Sequence, residues 1–337
     1  MKAAVVEEPG RLVVREVPEP VMGDYDCLVQ GLYGATCSGT DLHLLNAHPL
    51  FGVRYPTVLG HESIGRVLEI GPKVENFKVG DMVTRMFNRN WDGLRSHWGG
   101  FAERGLVYDW EPKKRDGLPL EFSPGIHRVL PPDTDPARAT MIITWRETLS
   151  FITRVGVTQG AKVLVIGSGG NAMSMVNHAM NLGAETVLAV GGPAREAEMR
   201  RVGATHFLSY REDDLVAAGK AQGLENFDLI VDAVCKVGQI DRVLPLLRPR
   251  GMVTIYGRDD WGKVTINPLG VSQGFTFANY DYAEGETHEQ VLEFIRQGRL
   301  RAEDYLGLDH IFTLDETNEA LEAIRQRKVV KALVKLS

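Results

Sequence analysis

Short apolar segments separated by turn residues dominate the first part of the chain. Residues 26–35, 62–71 and 81–87 each carry such a segment, and Gly, Pro and charged residues stand between them. This spacing predicts short β-strands with little helix, and therefore a β-rich, barrel-like domain. Residues 1–17 fit the same pattern, because they predict two strands joined by a Pro-Gly turn.

The pattern changes near residue 155, where the apolar runs become continuous. Such runs are typical of strands buried on both faces of a parallel sheet. Helical stretches alternate with them, so we predict βαβ units and a doubly wound, Rossmann-type α/β fold. The predicted buried strands are residues 161–167, 185–190, 228–234 and 251–257.

The length of 337 residues exceeds what one ordinary hydrophobic core accommodates and suits two domains. Two predicted helices and a closing strand follow residue 285. We predict a β-rich catalytic domain of residues 1–150, completed by residues 285–337. Residues 151–284 would then form a separate dinucleotide-binding domain.

Composition limits the classes of partner and compartment. The net charge of −6 argues against nucleic acid or an anionic membrane as a partner. Three scattered cysteines are too few for a disulfide scaffold and indicate a reducing compartment. No apolar run reaches the ~20 residues of a membrane span, and the first residues lack the features of a signal peptide. We therefore expect a cytoplasmic protein whose partner is a small molecule.

Glycine is over-represented, with 36 residues against about 24 at average usage. One glycine cluster, residues 167–172, follows a predicted strand, opens a predicted helix and matches the dinucleotide pattern G-x-G-x-x-A. The glycines allow a tight turn and close approach of a pyrophosphate, which the N-terminus of the helix would bind. The predicted cofactor residues in this turn are Gly167, Ser168, Gly169, Gly170, Asn171 and Ala172.

The end of the second Rossmann strand predicts the form of the cofactor. An NAD site usually presents a carboxylate there to bind the ribose 2′-hydroxyl, and this chain has Gly191 and Gly192 instead. Arg195 follows within reach of a 2′-phosphate, and Tyr210 follows the third strand. The pattern therefore favours NADP(H) over NAD(H).

Side chains suited to metal binding and acid–base chemistry are concentrated in two short segments. The first contains Cys37, Asp41 and His43, and the second contains His61 and Glu62. A thiolate, an imidazole and a carboxylate are the ligand types of a catalytic zinc site. In a chain that also binds a dinucleotide, these segments predict one catalytic Zn²⁺.

Over essentially its whole length the sequence resembles the zinc-dependent medium-chain dehydrogenases/reductases of the alcohol and polyol dehydrogenase type. The matching motifs are the opening strand, GTDLH at 39–43, GHE at 60–62, VGD at 79–81, GGFAE at 99–103 and the turn at 167–172. The resemblance implies a GroES-like catalytic domain beside the Rossmann domain. It also implies an enzyme that interconverts an alcohol and its carbonyl compound.

The resemblance assigns roles to the metal-binding segments. Cys37 and His61 would bind the zinc, and Glu62 would be either a ligand or a carboxylate beside the metal. Asp41 would accept a hydrogen bond from the far ring nitrogen of His61 and so fix its tautomer. Thr40 would hydrogen-bond the substrate hydroxyl and pass its proton towards His43.

Two departures from the family pattern leave alternatives open. An ungapped match puts Ser38 in the usual cysteine position, so Cys37 binds the metal only if the loop shifts by one residue. We expect this shift, and a vacated ligand position is the alternative. For the remaining ligand, Glu147 is one candidate and Glu62 bound directly is another, while residues 145–147 could equally be ordinary helix surface.

A third departure concerns the structural zinc of most zinc-dependent members. Four closely spaced cysteines bind it there, and residues 88–98 of this chain contain none. We therefore predict no structural zinc. Trp91 and Trp98 in this segment would either contact substrate or pack locally. Residues 109–125 form a second unusual segment, predicted to be a functional or oligomer-contact loop.

The predicted activity is zinc-dependent interconversion of an alcohol and a carbonyl compound with NADP(H). A hydroxylated substrate such as a polyol, sugar or cyclitol is favoured by the polar residues near the predicted site. These residues are Asp41, Asn46, His48, Arg54, Glu62, Trp91, His97 and Arg146. Two alternatives remain, a zinc-free NADPH-dependent quinone or enone reductase and a non-catalytic dinucleotide-binding protein.

Self-association is also expected. Residues 265–280 correspond to the edge strand of the family's Rossmann sheet, where a two-fold-related copy continues the sheet. An exposed edge of this kind is otherwise an aggregation hazard. We therefore predict a homodimer or a homotetramer.

Overall fold

The protein, seen here as a computed structural model, is described for residues 1–89 and 93–337. The chain folds as two units, each formed from more than one segment. The first unit comprises Met1–Arg146, Ala283–Leu292 and Arg301–Ser337, and the second comprises Glu147–Tyr282 and Glu293–Leu300. Among the described residues, none of the helices has the length and hydropathy needed to cross a membrane.

The first unit is built on two β-sheets, as the short apolar segments predict. Its strands are β1 (Lys2–Glu8), β2 (Arg11–Glu16), β3 (Asp26–Ala35), β4 (Thr57–Val58), β5 (Ser63–Ile70), β6 (Met82–Thr84), β7 (Arg95–Ser96), β8 (Arg104–Tyr108) and β9 (Arg128–Val129). The strands β16 (Leu306–Thr313) and β17 (Lys331–Lys335) complete it after the second unit. One sheet has the order β2-β1-β4-β7, and the other has the order β16-β17-β3-β5-β6-β9 with β8 paired to β3.

Short helices accompany these strands. They are α1 (Thr40–Leu45), α2 (Trp110–Arg115), α3 (Pro136–Ala139) and α9 (Thr317–Arg325), while α4 (Met141–Arg154) and α8 (His288–Arg296) begin in this unit. The core contains Val29 and Val83 from the strands, Phe101 from the connection between β7 and β8, and Leu321 from α9. Apolar side chains from the strands and from α9 thus pack into one core.

The second unit contains the parallel sheet that the continuous apolar runs predict. Its strands are β10 (Lys162–Ile166), β11 (Thr186–Gly191), β12 (His206–Ser209), β13 (Phe227–Asp232), β14 (Leu247–Ile255) and β15 (Thr276–Ala278), and its helices include α5 (Gly170–Asn181), α6 (Glu196–Arg201) and α7 (Leu215–Lys220). The order is β12-β11-β10-β13-β14-β15, and all five pairings are parallel. The strand order reverses between β10 and β13, where doubly wound folds bind their ligands. The predicted fold class is confirmed.

Residues 109–125, the second unusual segment, pack against Arg89 and Trp98, which follow β6 in the chain. The ring of Phe122 stacks on Trp98 with centroids 3.9 Å apart, and Arg85 lies over the same indole at 3.8 Å. Arg89 pairs with Asp26 at 2.6 Å and with Glu121 at 2.7 Å. Trp98 thus packs locally, whereas Trp91 lies outside the described residues.

Candidate active site

Pairing between β3 and β5 brings the two metal-binding segments together. The strands are antiparallel, and Gly34 pairs with Ser63 at the end of the ladder. Cys37 follows the end of β3, and His61 and Glu62 immediately precede β5. The amide of Ala35 also donates to the carbonyl of Glu62 at 2.8 Å. Two segments that are separate in sequence therefore meet at one end of this pair of interior strands.

One thiol, one imidazole and one carboxylate form a buried group here. Cys37 Sγ, a ring nitrogen of His61 and a carboxylate oxygen of Glu62 all lie within 4.8 Å of one another. The three residues are 6%, 4% and 1% exposed. Ser38, which an ungapped family match would place at the metal, is exposed. The structure thus places Cys37, and not Ser38, in this group.

Asp41 organises the group from the first turn of α1. One carboxylate oxygen accepts from the amide of Cys37 at 2.8 Å, and the other lies 3.2 Å from Nδ1 of His61. Donation from Nδ1 leaves Nε2 with its lone pair, and Nε2 lies 3.6 Å from Oε1 of Glu62. Burial disfavours the charged ring, but Asp41 and Cys37 outweigh it and raise the pKa of His61 well above its usual value.

Lys331 is a participant that the sequence reasoning missed. Its ammonium lies 2.5 and 2.7 Å from the two carboxylate oxygens of Glu62 and 3.3 Å from the carbonyl of Thr36. Thr144 donates a further hydrogen bond to Glu62 at 2.8 Å. Lys331 is 2% exposed; burial lowers its pKa, but Glu62 outweighs this effect, and the net pKa is raised. The only sequence signal was a lysine in an apolar closing strand.

The charges of this group suit a divalent cation. The opposite charges of Glu62 and Lys331 compensate each other, because Nζ of Lys331 lies 2.5 Å from Oε2 of Glu62. With Cys37 as a thiolate and His61 neutral, as metal ligands must be, Cys37 and Asp41 leave two negative charges in a buried place. Isolated buried charge of this kind is costly without a partner. The donor set therefore fits zinc.

Glu147 belongs to the second unit. Its carboxylate accepts a hydrogen bond from the hydroxyl of Tyr256 at 3.4 Å. The described residues that form the metal-binding group do not include it. The surface alternative for residues 145–147 is wrong, because Trp145, Arg146 and Glu147 are 2%, 0% and 6% exposed.

The imidazole rings of His43, His48 and His97 lie close together around the ring of Phe51. Thr40 and His43 are three residues apart on this helix and therefore on one face. The ring of His43 lies 4.4 Å from that of His48 and 5.8 Å from that of Phe51, which in turn contacts His97 at 5.5 Å. Burial, and then the charge of His61, lowers the pKa of His97.

The predicted dinucleotide turn has the required backbone. Gly167 follows β10 with φ 127°, and a side chain there would lie 3.2 Å from Cβ of Ala172. The helix α5 begins at Gly170, and no side chain among the described residues caps its N-terminus. Its first amide groups therefore point outward without a side-chain acceptor, which suits a phosphate.

The predicted Gly191–Gly192 turn adjoins that turn. The amide of Gly192 donates to Oγ of Ser168 at 3.0 Å, and a Cβ on Gly191 would lie 2.6 Å from Cβ of Ser168. The amide of Tyr210 donates to the carbonyl of Gly191 at 2.9 Å. Arg195 pairs with Glu198 at 3.0 Å. The structure thus brings both glycine turns and Tyr210 together.

Two family models match parts of this chain. The family model "Zinc-binding dehydrogenase" matches residues 169–297, and "Alcohol dehydrogenase GroES-like domain" matches residues 23–110. L-galactonate-5-dehydrogenase of Escherichia coli K12 is 25% identical over 99% of this chain and 98% of its own length. D-arabinitol dehydrogenase 1 of Uromyces fabae is 22% identical over 99% of this chain and 97% of its own. The structure of alcohol dehydrogenase TADH from Thermus sp. ATN1 superimposes with a TM-score of 0.80 at 23% identity, covering 99% of both chains.

Proposed function

Because the chain belongs to the medium-chain dehydrogenase/reductase family, we propose that it is an alcohol/polyol dehydrogenase that uses one zinc ion and NADP(H). The observation that carries this proposal is the buried group of Cys37, His61 and Glu62, whose ligand atoms lie within 4.8 Å of one another. A group of this composition suits a catalytic zinc, which needs an open position for substrate.

In this proposal Cys37 and His61 hold the metal, and Glu62 faces it. A bound Zn²⁺ supplies a Lewis acid for the reacting oxygen of the substrate. Asp41 holds the His61 ring through Nδ1 at 3.2 Å and so directs Nε2 to the metal position. Lys331 holds the Glu62 carboxylate in place through contacts of 2.5 and 2.7 Å.

The α1 face supplies the route for the proton. The hydroxyl of Thr40 would take the proton of the substrate hydroxyl while giving its own proton towards His43, which lies three residues along the same face. His43 and His48 are in ring contact at 4.4 Å, and both are partly exposed, so the proton can leave to water from either ring. A neutral imidazole can accept a proton at physiological pH.

The second unit would bind the dinucleotide, which supplies the hydride acceptor or donor. The amides at the start of α5 would bind the pyrophosphate, and Gly167 and Gly191 let the chain pack closely beside them. We propose NADP(H) as the preferred form, since β11 ends in Gly191 with no carboxylate to repel a 2′-phosphate. Arg195 would bind this phosphate by exchanging part of its pairing with Glu198.

A hydroxylated substrate, such as a polyol, sugar or cyclitol, is the substrate class that we propose. The imidazoles of His43, His48 and His97 near the metal group offer donors and acceptors for several hydroxyl groups. Two relatives of similar length are named for substrates of this kind, L-galactonate and D-arabinitol. We further propose a homodimer or homotetramer in which the β15 edge pairs with its copy.

Initial rates with alcohols, polyols, sugars and inositols, each with NADP⁺ and NAD⁺, test the activity. We expect turnover of a polyhydroxylated substrate, a preference for NADP⁺ and loss of turnover on complete zinc removal. Metal-independent reduction of a quinone or enone would instead indicate the zinc-free reductase class. No turnover with any of these substrates would favour a non-catalytic dinucleotide-binding protein.

The role of Arg195 is tested separately by binding. Replacing Arg195 with Leu should weaken NADP⁺ binding by the roughly 1.5–3 kcal/mol of a charged hydrogen bond and leave NAD⁺ binding unchanged. The matched control is Arg201→Leu, an exposed arginine at the end of α6, the helix that begins directly after Arg195. Equal weakening of both cofactors, or of neither, would contradict the proposed phosphate contact.

A further inference from the structure

A cavity of about 230 Å³ lies in the first unit, lined by residues other than those of the metal-binding group. Its walls come from the start of α2, from β9, from the start of α8 and from the turn before β6. The lining residues that matter below are Phe77, Trp110, Glu111, His127, Arg128 and His288. The volume is below the roughly 300 Å³ at which sites for drug-sized ligands begin, so any occupant is small.

Two buried histidines face this cavity with unsatisfied nitrogens. His127 and His288 are each 2% exposed. Nδ1 of His288 makes no hydrogen bond with any described residue. Backbone groups of Thr84 and Arg85 interact with the His127 ring and favour its charged form, but neither lies within hydrogen-bond geometry of a ring nitrogen. Nε of Arg128 is also buried and makes no hydrogen bond with any described residue. Buried polar atoms nearly always have partners, so four such nitrogens around one cavity indicate an oxygen-bearing ligand.

Both imidazoles are neutral. Burial, and then the charge of Arg146, lowers the pKa of His127 and of His288 to about 3. A neutral imidazole offers one donor and one acceptor, which is the pattern that a hydroxyl group complements. A carboxylate or phosphate would leave the acceptor nitrogens unused.

The charges around the cavity select against ions of either sign. Carboxylates of Asp109, Glu111 and Glu289 line it and oppose an anion. Arg128 in the wall and Arg146 near both histidines oppose a metal cation. The rings of Phe77 and Trp110 supply apolar surface against which the C–H groups of a small carbohydrate can pack.

We propose that this cavity is a second, non-catalytic binding site for a neutral polyhydroxylated small molecule of five or six carbons, a polyol or a monosaccharide. His127, His288 and Arg128 bind its hydroxyl groups. The proposal does not depend on the proposed dehydrogenase activity, because binding is measured on protein without nicotinamide cofactor.

The test is titration of [¹⁵N]histidine-labelled protein with xylitol, sorbitol and glucose, followed by imidazole ¹⁵N resonances and by calorimetry. We expect at least one probe to shift His127 and His288 saturably, whereas binding at the metal site would shift His43, His48 and His97. No saturable shift of His127 or His288 with any of the three probes would overturn the proposal.

Variants make the assignment specific. Replacing His127 with Phe keeps ring contacts to Phe87 and Tyr108 but removes both nitrogens, and it should weaken the probe at least about tenfold. The exposed His310 gives the matched control His310→Phe, which should bind normally. Arg128→Met decides the outcome if the His127 variant does not fold, and unchanged affinity in the folded variants would contradict the site.

Discussion

At the scale of single residues, Lys331 is the ion-pair partner of the buried Glu62 carboxylate. The two groups are 2% and 1% exposed, and 269 residues separate them in the chain. A pattern of apolar positions identifies β17 but carries no information about a partner so far away in sequence. This ion pair could therefore be found only in the folded chain.

Removing the lysine side of this pair should destabilise the protein strongly. Lys331→Met leaves Glu62 buried without its cation, and breaking such a pair costs about 3–5 kcal/mol of unfolding free energy. Urea unfolding measures this loss. The control is Lys335→Met, which changes an exposed lysine on the same strand and should cost little. Equal stability of the two variants would contradict the assigned role.

The position of Cys37 illustrates the same limit. Family spacing points to Ser38, and a shift of one residue in the loop between β3 and α1 exchanges the two side chains. The hydrogen bond from the backbone amide of Cys37 to the carboxylate of Asp41, at 2.8 Å, holds the loop in this shifted register. The residue types of the site were thus predictable, whereas the register of the loop depends on a contact that forms only on folding.

At the scale of elements, the strands of the second unit were the most predictable part. Continuous apolar runs identify β10, β11, β13 and β14 because strands buried on both faces cannot tolerate polar residues. The segment 109–125 was not predictable in this way. It contains α2 and packs through Phe122, a pattern too short for periodicity to reveal.

Phe122 should stabilise the packing of residues 109–125 against Trp98. Its ring stacks on Trp98 at 3.9 Å, and its backbone amide and carbonyl both bond to the hydroxyl of Tyr108. Phe122→Ala should lower the unfolding free energy by about 1–3 kcal/mol, less than a fully buried Phe because this ring is only half-buried. Leu118→Ala, at a 44% exposed position of the same segment, is the control. Thermal unfolding that ranks Leu118→Ala as the more damaging change would contradict this packing role.

At the scale of the whole molecule, the edge of the parallel sheet predicts association. The strand β15 pairs with β14 on one side only, and Phe277 on it is 51% exposed. An open hydrophobic edge favours pairing with a second copy. The sequence predicts an edge strand within residues 265–280, and the structure gives its bounds as Thr276–Ala278.

A charge on that edge should separate the copies. Phe277→Asp should shift the protein to monomer in light scattering coupled to size exclusion. Val237→Asp places the same charge at another exposed apolar position, 54% exposed, and should leave the assembly unchanged. A wild-type monomer, or an unchanged assembly in Phe277→Asp, would contradict pairing through β15.

The central claim is a zinc ion held by Cys37 and His61 beside Glu62, and metal content combined with zinc X-ray absorption tests it most directly. We predict one zinc per chain with a single sulfur ligand, lost in His61→Ala and retained without sulfur or lost in Cys37→Ser. The exposed Ser38 provides the control Ser38→Ala, which should keep both the zinc and its sulfur ligand. Zinc-free protein with full dehydrogenase turnover, or a zinc ion without sulfur in the unaltered protein, would contradict the account.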